Sequence, residues 1–279
     1  MRSKTALLKS FQNGKPMAKI ITLVNQKGGV GKTTSAINLG AYLGHFGQRV
    51  LLVDMDPQAN ATSSLGIDKR NVKSSVYDVL IGNMPVGPQI LHNPRLKMSL
   101  LPSSPALAGA EIELIDLPNR ESRLRNALAP IQERYDYILI DCPPSLSLLT
   151  INGLLAASSG LIIPVQCEYL ALEGIGQLTQ TIQRVKSSLY PQLEVRGVIL
   201  TMFDGRTRLA VDVVNEVRKH FPTEVYQTII PRSVRLAEAP SYGFPISIYA
   251  PDSSAATAFS ALAREVLAQD GIVIPIIQD

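Results

Sequence analysis

The chain has 279 residues, 46% hydrophobic and 18% charged, which is enough apolar side chain to close a core and argues against disorder. The net charge is +4, and the absence of tryptophan with few other aromatics argues against a platform for stacking nucleic-acid bases. Its longest apolar stretch, Leu148 to Val165, is broken by Thr150, Asn152, Gly153, Ser158, Ser159 and Gly160 and is too polar to span a bilayer.

In chain order, residues 1–16 come first, with Arg2, Lys4, Lys9 and Lys15 and no acid, so they alone carry the net charge. They lack the apolar core of a secretory signal and are read as a basic, disordered extension with weak, salt-sensitive attraction for nucleic acid. Residues 17–279 are read as one domain. Strands are expected at Lys19–Asn25, Arg49–Asp54, Met98–Leu101, Asp136–Asp141, Gly160–Val165, Arg196–Met202 and Tyr226–Ile230. Helices are expected at Lys32–Phe46, Arg120–Arg134, Glu173–Leu189, Arg208–His220 and Ala255–Ala268. Residues 66–103 are less regular and read as short helices and loops leading into a strand. The runs ITLV, VLLVD, YILID and LIIPV are continuous rather than alternating, as in strands covered on both faces. Strand, helix, strand at this spacing predicts an α/β fold: one doubly wound, mostly parallel sheet with helices on both faces.

Three strand ends carry chemistry. The first strand runs straight into NQKGGVGKTT and a helical pattern, the context of a phosphate-binding loop. Gly28, Gly29 and Gly31 allow the backbone through Val30 to turn its N–H groups inward, toward phosphate at the start of the helix that holds Thr34. Lys32 can reach the β- and γ-phosphates and the Thr33 hydroxyl can ligate Mg²⁺. The loop departs from its usual spelling, because Gln26 stands where a glycine is normal and a second lysine, Lys27, follows it. The second strand ends in VDMDPQ, where Asp54 and Asp56 lie two residues apart and so on one side. A third strand closes on Asp141 before Pro143 and Pro144, the usual water-mediated Mg²⁺ partner of a phosphate loop. The reading is a Mg²⁺–ATP site.

KGGVGKTT, VDMDPQ and IDCPPS together resemble the deviant-Walker ATPases, a class that includes ParA, MinD and the nitrogenase iron protein. ALEGIGQL (171–178), TMFDGRT (201–207) and PRSVRLAEAPSYG (231–243) resemble the chromosomal ParA, or Soj-like, branch, from Met17 to about Ala268. The resemblance implies that Lys27 reaches the phosphates of a partner subunit, so that ATP drives a homodimer and completes its site. It further implies that Asp56 positions the attacking water, giving Lys27, Lys32 and Asp56 as catalytic residues. Thr33, Asp54 and Asp141 would hold the metal. Pro231 and the residue at 233 would meet adenine, although Ser233 stands where the family commonly has Asn, which leaves that contact open. Arg206 and Arg235 match the family's DNA-contact arginines, with Arg208, Arg218, Lys219 and Arg232 as neighbours in a stretch holding nine basic and five acidic residues between Arg184 and Arg235. The implied function is an ATPase for chromosome or plasmid segregation, cytoplasmic and nucleoid-associated, that binds double-stranded DNA without sequence preference. A ParB/Spo0J-like partner would stimulate its hydrolysis.

Rival readings share the loop. An iron–sulfur relative would use two cysteines per chain, and the count of two is formally right, but Cys142 follows Asp141 and Cys167 sits in a segment of Soj type. A small-molecule ligase lacks DGRT and PRSVR. A positioning ATPase for a protein cargo stays open. The final AQDGIVIPIIQD has no lysine or arginine, so a MinD-like membrane anchor is not expected.

Overall fold

A computed structural model describes residues 17–169 and 171–274, with the backbone alone at 171–174. The basic extension 1–16 and the last residues of the IVIPIIQD tail lie outside the described residues. The strands are β1 (Lys19–Leu23), β2 (Val50–Asp54), β3 (Leu91–Asn93), β4 (Met98–Leu101), β5 (Tyr137–Asp141), β6 (Leu161–Gln166), β7 (Val195–Phe203) and β8 (Val225–Pro231). They form one sheet in the order β3-β4-β2-β5-β1-β6-β7-β8, parallel throughout except for the β3–β4 pair. The helices are α1 (Lys32–His45), α2 (Asn60–Ser64), α3 (Val76–Leu80), α4 (Leu107–Glu113), α5 (Arg123–Leu128), α6 (Leu148–Ala156), α7 (Ala171–Ser188), α8 (Arg208–His220), α9 (Val234–Glu238), α10 (Ile246–Tyr249) and α11 (Ser254–Gln269).

The continuous apolar runs have the meaning expected of them. In the central strands neighbouring residues point to opposite faces, and both faces are covered. Ile21, Leu23, Leu52 and Leu139 pack with Leu39 and Leu43 of α1 and Phe259 and Leu262 of α11. Their neighbours Ile20, Leu51, Val53, Ile138 and Ile140 meet Val79, Leu107, Leu124 and Leu149 on the other face. Beyond β1 that face continues through Ile163, Val165, Val198 and Leu200 against α7 and α8. Each fully buried Leu or Ile contributes about 1.5–3 kcal/mol, so the strand ends rest on a stiff base.

The short helices α2, α4, α9 and α10 are not expected from the sequence, and three further elements differ from expectation. β3 is an unexpected edge strand of three exposed residues, too short to show a period. The expected helix Arg120–Arg134 is shorter: α5 gives way to a 3-10 turn at Ala129–Arg134, where Pro130 supplies no N–H for a continuing α-helix. α6 occupies the apolar stretch read above only as non-membrane. It is buried nearly all round, so it has no polar stripe to announce it. Gly153 of α6 is a packing requirement, because a Cβ there would fall 2.5 Å from Cys142 Sγ.

At the amino ends of the strands, Asp270, just after α11, accepts from Tyr137 at 2.6 Å and pairs with Lys19 at 2.9 Å and Arg196 at 2.7 Å. This cluster ties β1, β5 and β7 to the last helix. At the carboxyl ends β1 lies between β5 and β6, where the chain's progress across the sheet reverses, the place at which open α/β sheets form a ligand crevice.

Candidate active site

The turn between β1 and α1 is held from below. Asn25 is buried; its Nδ2 donates to the Pro164 carbonyl at 2.8 Å and its Oδ1 accepts from the Lys27 N–H at 3.0 Å. Gly28 and Gly29 are exposed, and Gly31, the N-cap of α1, has φ 86°, which favours glycine. The Val30 carbonyl accepts from Thr201 Oγ1 at 2.9 Å, fastening the loop to β7. The two lysines part company here. Lys32 is buried and donates through Nζ to the Lys27 carbonyl at 3.1 Å. Burial lowers its pKa, opposed by the nearby Asp141 and Asp56 carboxylates. The Lys27 ammonium is half-buried and has no hydrogen-bond or ion-pair partner among the described residues.

Parallel register sets Asp54 of β2 beside Asp141 of β5, and Leu23 of β1 beside Asp141 on its other side. Asp54 is fully buried and already occupied: Oδ2 accepts from Thr62 N–H at 2.8 Å and Thr62 Oγ1 at 2.7 Å, and Oδ1 from Asp56 N–H at 3.2 Å. Burial pushes its pKa up to about 6 against the pull of those donors. Asp141 lies well above the carboxylate range, through burial and the facing Asp54, while Thr33 and Lys32 pull it down. Both its carboxylate oxygens are buried without a partner at hydrogen-bond geometry, so the Thr33 hydroxyl lies near without satisfying them. Asp56 is 7% exposed; its Oδ1 accepts from Gln58 N–H at 2.8 Å, and its carbonyl accepts from Ser103 Oγ at 2.7 Å.

This donor set fits a hard cation. Asp141 supplies two unsatisfied buried oxygens beside a hydroxyl, whereas Asp54 has its lone pairs engaged. No cluster of three or more His, Cys, Asp or Glu side chains able to hold a metal occurs among the described residues. A cation here needs oxygens from a ligand, as Mg²⁺ does when it shares one or two carboxylates with phosphates. Thr62 and Ser103 escaped the sequence reading. Thr62 Oγ1 donates to Asp54 and accepts from the Ser103 N–H at 2.9 Å, so the two residues brace both aspartates. They lie 41 residues apart, with no motif to join them.

Next to the loop, a cavity of about 330 Å³ is walled by Gly31, Thr34, Thr201, Met202, Pro231 and Ser233. The size suits a nucleobase-scale group. Ser233 is the N-cap of α9, yet its side chain makes no capping bond and is free for a ligand. Met202 adopts φ 53°, unusual for a side chain this size, in the strand that also holds Thr201. Both cysteines are buried in separate parts of the core; burial raises both thiols, Cys167 to about 11. Such thiols do not face out to bridge a cluster between subunits.

Residues 18–195 match the AAA domain family. The sporulation initiation inhibitor protein Soj of Bacillus subtilis is 53% identical over 252 residues, covering 90% of this chain and 99% of Soj. The chromosome partitioning protein ParA of Myxococcus xanthus is 51% identical, covering 91% of this chain and 89% of its own. The chain belongs to the ParA/Soj family. Among solved structures, the cobyrinic acid a,c-diamide synthase of Mycobacterium smegmatis with bound ADP and magnesium is 37% identical, with a TM-score of 0.80 over 94% of this chain and 100% of that one. It is named for small-molecule chemistry, but stands well below the partitioning relatives in identity.

Arg206 and Arg235, which match the family's DNA-contact arginines, and their four basic neighbours do not form one patch. Arg206, Arg208, Arg232 and Arg235 follow the carboxyl ends of β7 and β8, on the rim of the crevice. Arg218 and Lys219 sit at the other end of α8, ten or more residues on, about 15 Å down the helix. All six are exposed or partly exposed. Arg206 pairs with Asp204 at 2.6 Å although 88% of its side chain is open to solvent. Arg232 pairs with Glu168 at 3.4 Å, Arg235 with Glu238 at 3.0 Å and Lys219 with Glu216 at 3.0 Å. No helix among the described residues is long and apolar enough to cross a membrane.

Proposed function

We propose that this chain is a Mg²⁺-dependent ATPase that segregates DNA as an ATP-closed homodimer. The observation that carries the reading is the contrast between the two loop lysines, one turned into its own site and one left unpartnered at the mouth. ATP lies with its phosphates on the backbone of Gly28–Thr34 and its base in the Thr201–Ser233 cavity. Lys32 sets a positive charge against the β- and γ-oxygens from inside the loop. Thr33 and Asp141, with Asp54 behind, would hold Mg²⁺, which would neutralise phosphate charge. Asp56 accepts a hydrogen bond from the attacking water and aligns it in line with the leaving oxygen. Lys27 of one copy stabilises the transferring group of the other, as an arginine finger does. Each step is positioning and electrostatics, so the lone chain turns over slowly.

Closing the dimer brings two sets of rim arginines onto one side, a footprint that grips phosphates rather than base edges. Hydrolysis opens the dimer and releases DNA, and a ParB/Spo0J-like protein hastens it. Light scattering tests the cross-subunit role of Lys27. The wild-type chain with ATP should double its mass, while Lys27→Ala should stay monomeric; a stable Lys27→Ala dimer removes that lysine from the partner's site.

A further inference from the structure

Two cavities of about 550 Å³ and 530 Å³ adjoin through Gly87 and Arg134; the first lies beside α3 and α5 and the second is lined by β3 and β4. The first holds Arg123 and Arg134; the second holds Arg134, Lys97, Arg49 and His92. No Asp or Glu lines either one among the described residues. Arg49 pairs with Asp136 at 2.7 Å, whereas Arg123, Arg134 and Lys97 have no carboxylate partner among the described residues. Arg123 donates to the Leu80 and Pro118 carbonyls and to the Asn83 side chain, none of them a carboxylate. The side chains of Arg134 and Lys97 have no hydrogen-bond or ion-pair partner among the described residues. A Cβ at Gly87 would come within 3.4 Å of Arg134 Nη1, so the guanidinium rests on bare backbone at the waist of the groove.

Four prolines, Pro85, Pro88, Pro118 and Pro130, stiffen the first cavity, which limits the entropy lost on binding. β3 is the last strand of the sheet and offers an unpaired backbone edge, the template for adding one more strand. Either cavity alone fits one small ligand. The two cavities together, with Arg123 in one, Lys97 in the other and Arg134 shared, offer more cations than a single anionic group needs. Val50 and Met98, the first residues of β2 and β4, line the second cavity, so the groove lies toward the end of the sheet away from the phosphate loop.

We propose that this groove docks an acidic, extended segment of a partner protein, its carboxylates meeting Arg123, Arg134 and Lys97 and its backbone pairing along β3. The site is separate from the nucleotide crevice and does not depend on the chemistry assigned there. The test is fluorescence anisotropy of the full chain with a labelled peptide of alternating Glu and Val, against a Gln–Val peptide of equal length. Saturable, low-salt binding of the Glu peptide is expected, about tenfold tighter than the Gln peptide. Arg134→Ala and Gly87→Val should each weaken it about tenfold, while Lys186→Ala, on α7 at the β6–β7 side of the sheet, leaves it unchanged and ATP turnover is kept in all three. Lys97→Ala repeats the test should Gly87→Val fold poorly. The proposal is overturned if the Glu peptide does not bind, or if Lys186→Ala weakens it as much as Arg134→Ala. Duplex DNA binding that requires Arg134 would assign the groove to nucleic acid instead. Self-association abolished by Arg134→Ala would assign it to a second copy.

Discussion

The acidic wall at the ends of β2 and β5 and the basic rim at the ends of β7 and β8 face the same crevice but are built in opposite ways. In the wall, Asp54, Asp56 and Asp141 are buried, Thr62 and Ser103 brace the first two, and Asp54 and Asp141 have pKa values raised by burial. In the rim, Arg206, Arg232 and Arg235 are largely solvent-exposed, each leaning on a nearby acid. Exposed pairs of this kind are worth about 0–1 kcal/mol. The rim can therefore exchange an internal carboxylate for a DNA phosphate at little cost, whereas the wall cannot rearrange without unsatisfied buried groups. Chemistry needs the first kind of construction and reversible, sequence-blind binding needs the second.

The largest effects should come from the buried side. Lys32→Ala is expected to weaken ATP binding about 100-fold, as loss of a buried charge-assisted contact would; unchanged affinity by calorimetry would contradict the role given to Lys32. Asp56→Ala should still bind ATP and dimerise, with turnover down about 100-fold. Normal phosphate release in that variant removes Asp56 from the mechanism.

Next comes pH. The folded-state pKa of Asp54, about 6, lies above its ordinary value, so the nucleotide-free chain is favoured with Asp54 protonated. Stability should be full below about pH 4 as far as this group is concerned and fall by up to about 3 kcal/mol as pH rises toward 6. Asp54→Asn should flatten that part of the denaturation profile; an unchanged slope means that another group causes it. Thr62→Val, which strips the hydroxyl donor from Asp54 and leaves the Ser103 N–H without its acceptor, should cost about 1–3 kcal/mol and move the same transition upward in pH. The smallest effect belongs to the rim: Arg206→Ala should lower the salt slope of DNA binding by about one, and Arg218→Ala, at the far end of α8, by less. Equal effects at both positions would erase the distinction between rim and outer surface.

The same contrast explains what the sequence disclosed. β2, β5 and β6 were legible because burial on both faces forces unbroken apolar runs, and the strand-ending aspartates stand out against them. The loop was legible because close backbone approach to phosphate requires glycine at fixed spacing. β3 was not, since three exposed edge residues carry no pattern, and α6 was hidden because complete burial erases helical periodicity. Thr62 and Ser103 were invisible for another reason: their contacts with Asp54 and Asp56 exist only after the chain folds. The arginines were visible as residues, but their separation into rim and distal groups depends on the direction of α8.

The central claim, that nucleotide at the wall governs DNA binding at the rim, is tested most directly by titrating a random-sequence duplex with ATP, ADP or no nucleotide across a salt series. The account predicts tight, salt-sensitive binding with ATP alone, lost in Lys27→Ala. Binding that ignores nucleotide, or no binding in any state, would contradict it.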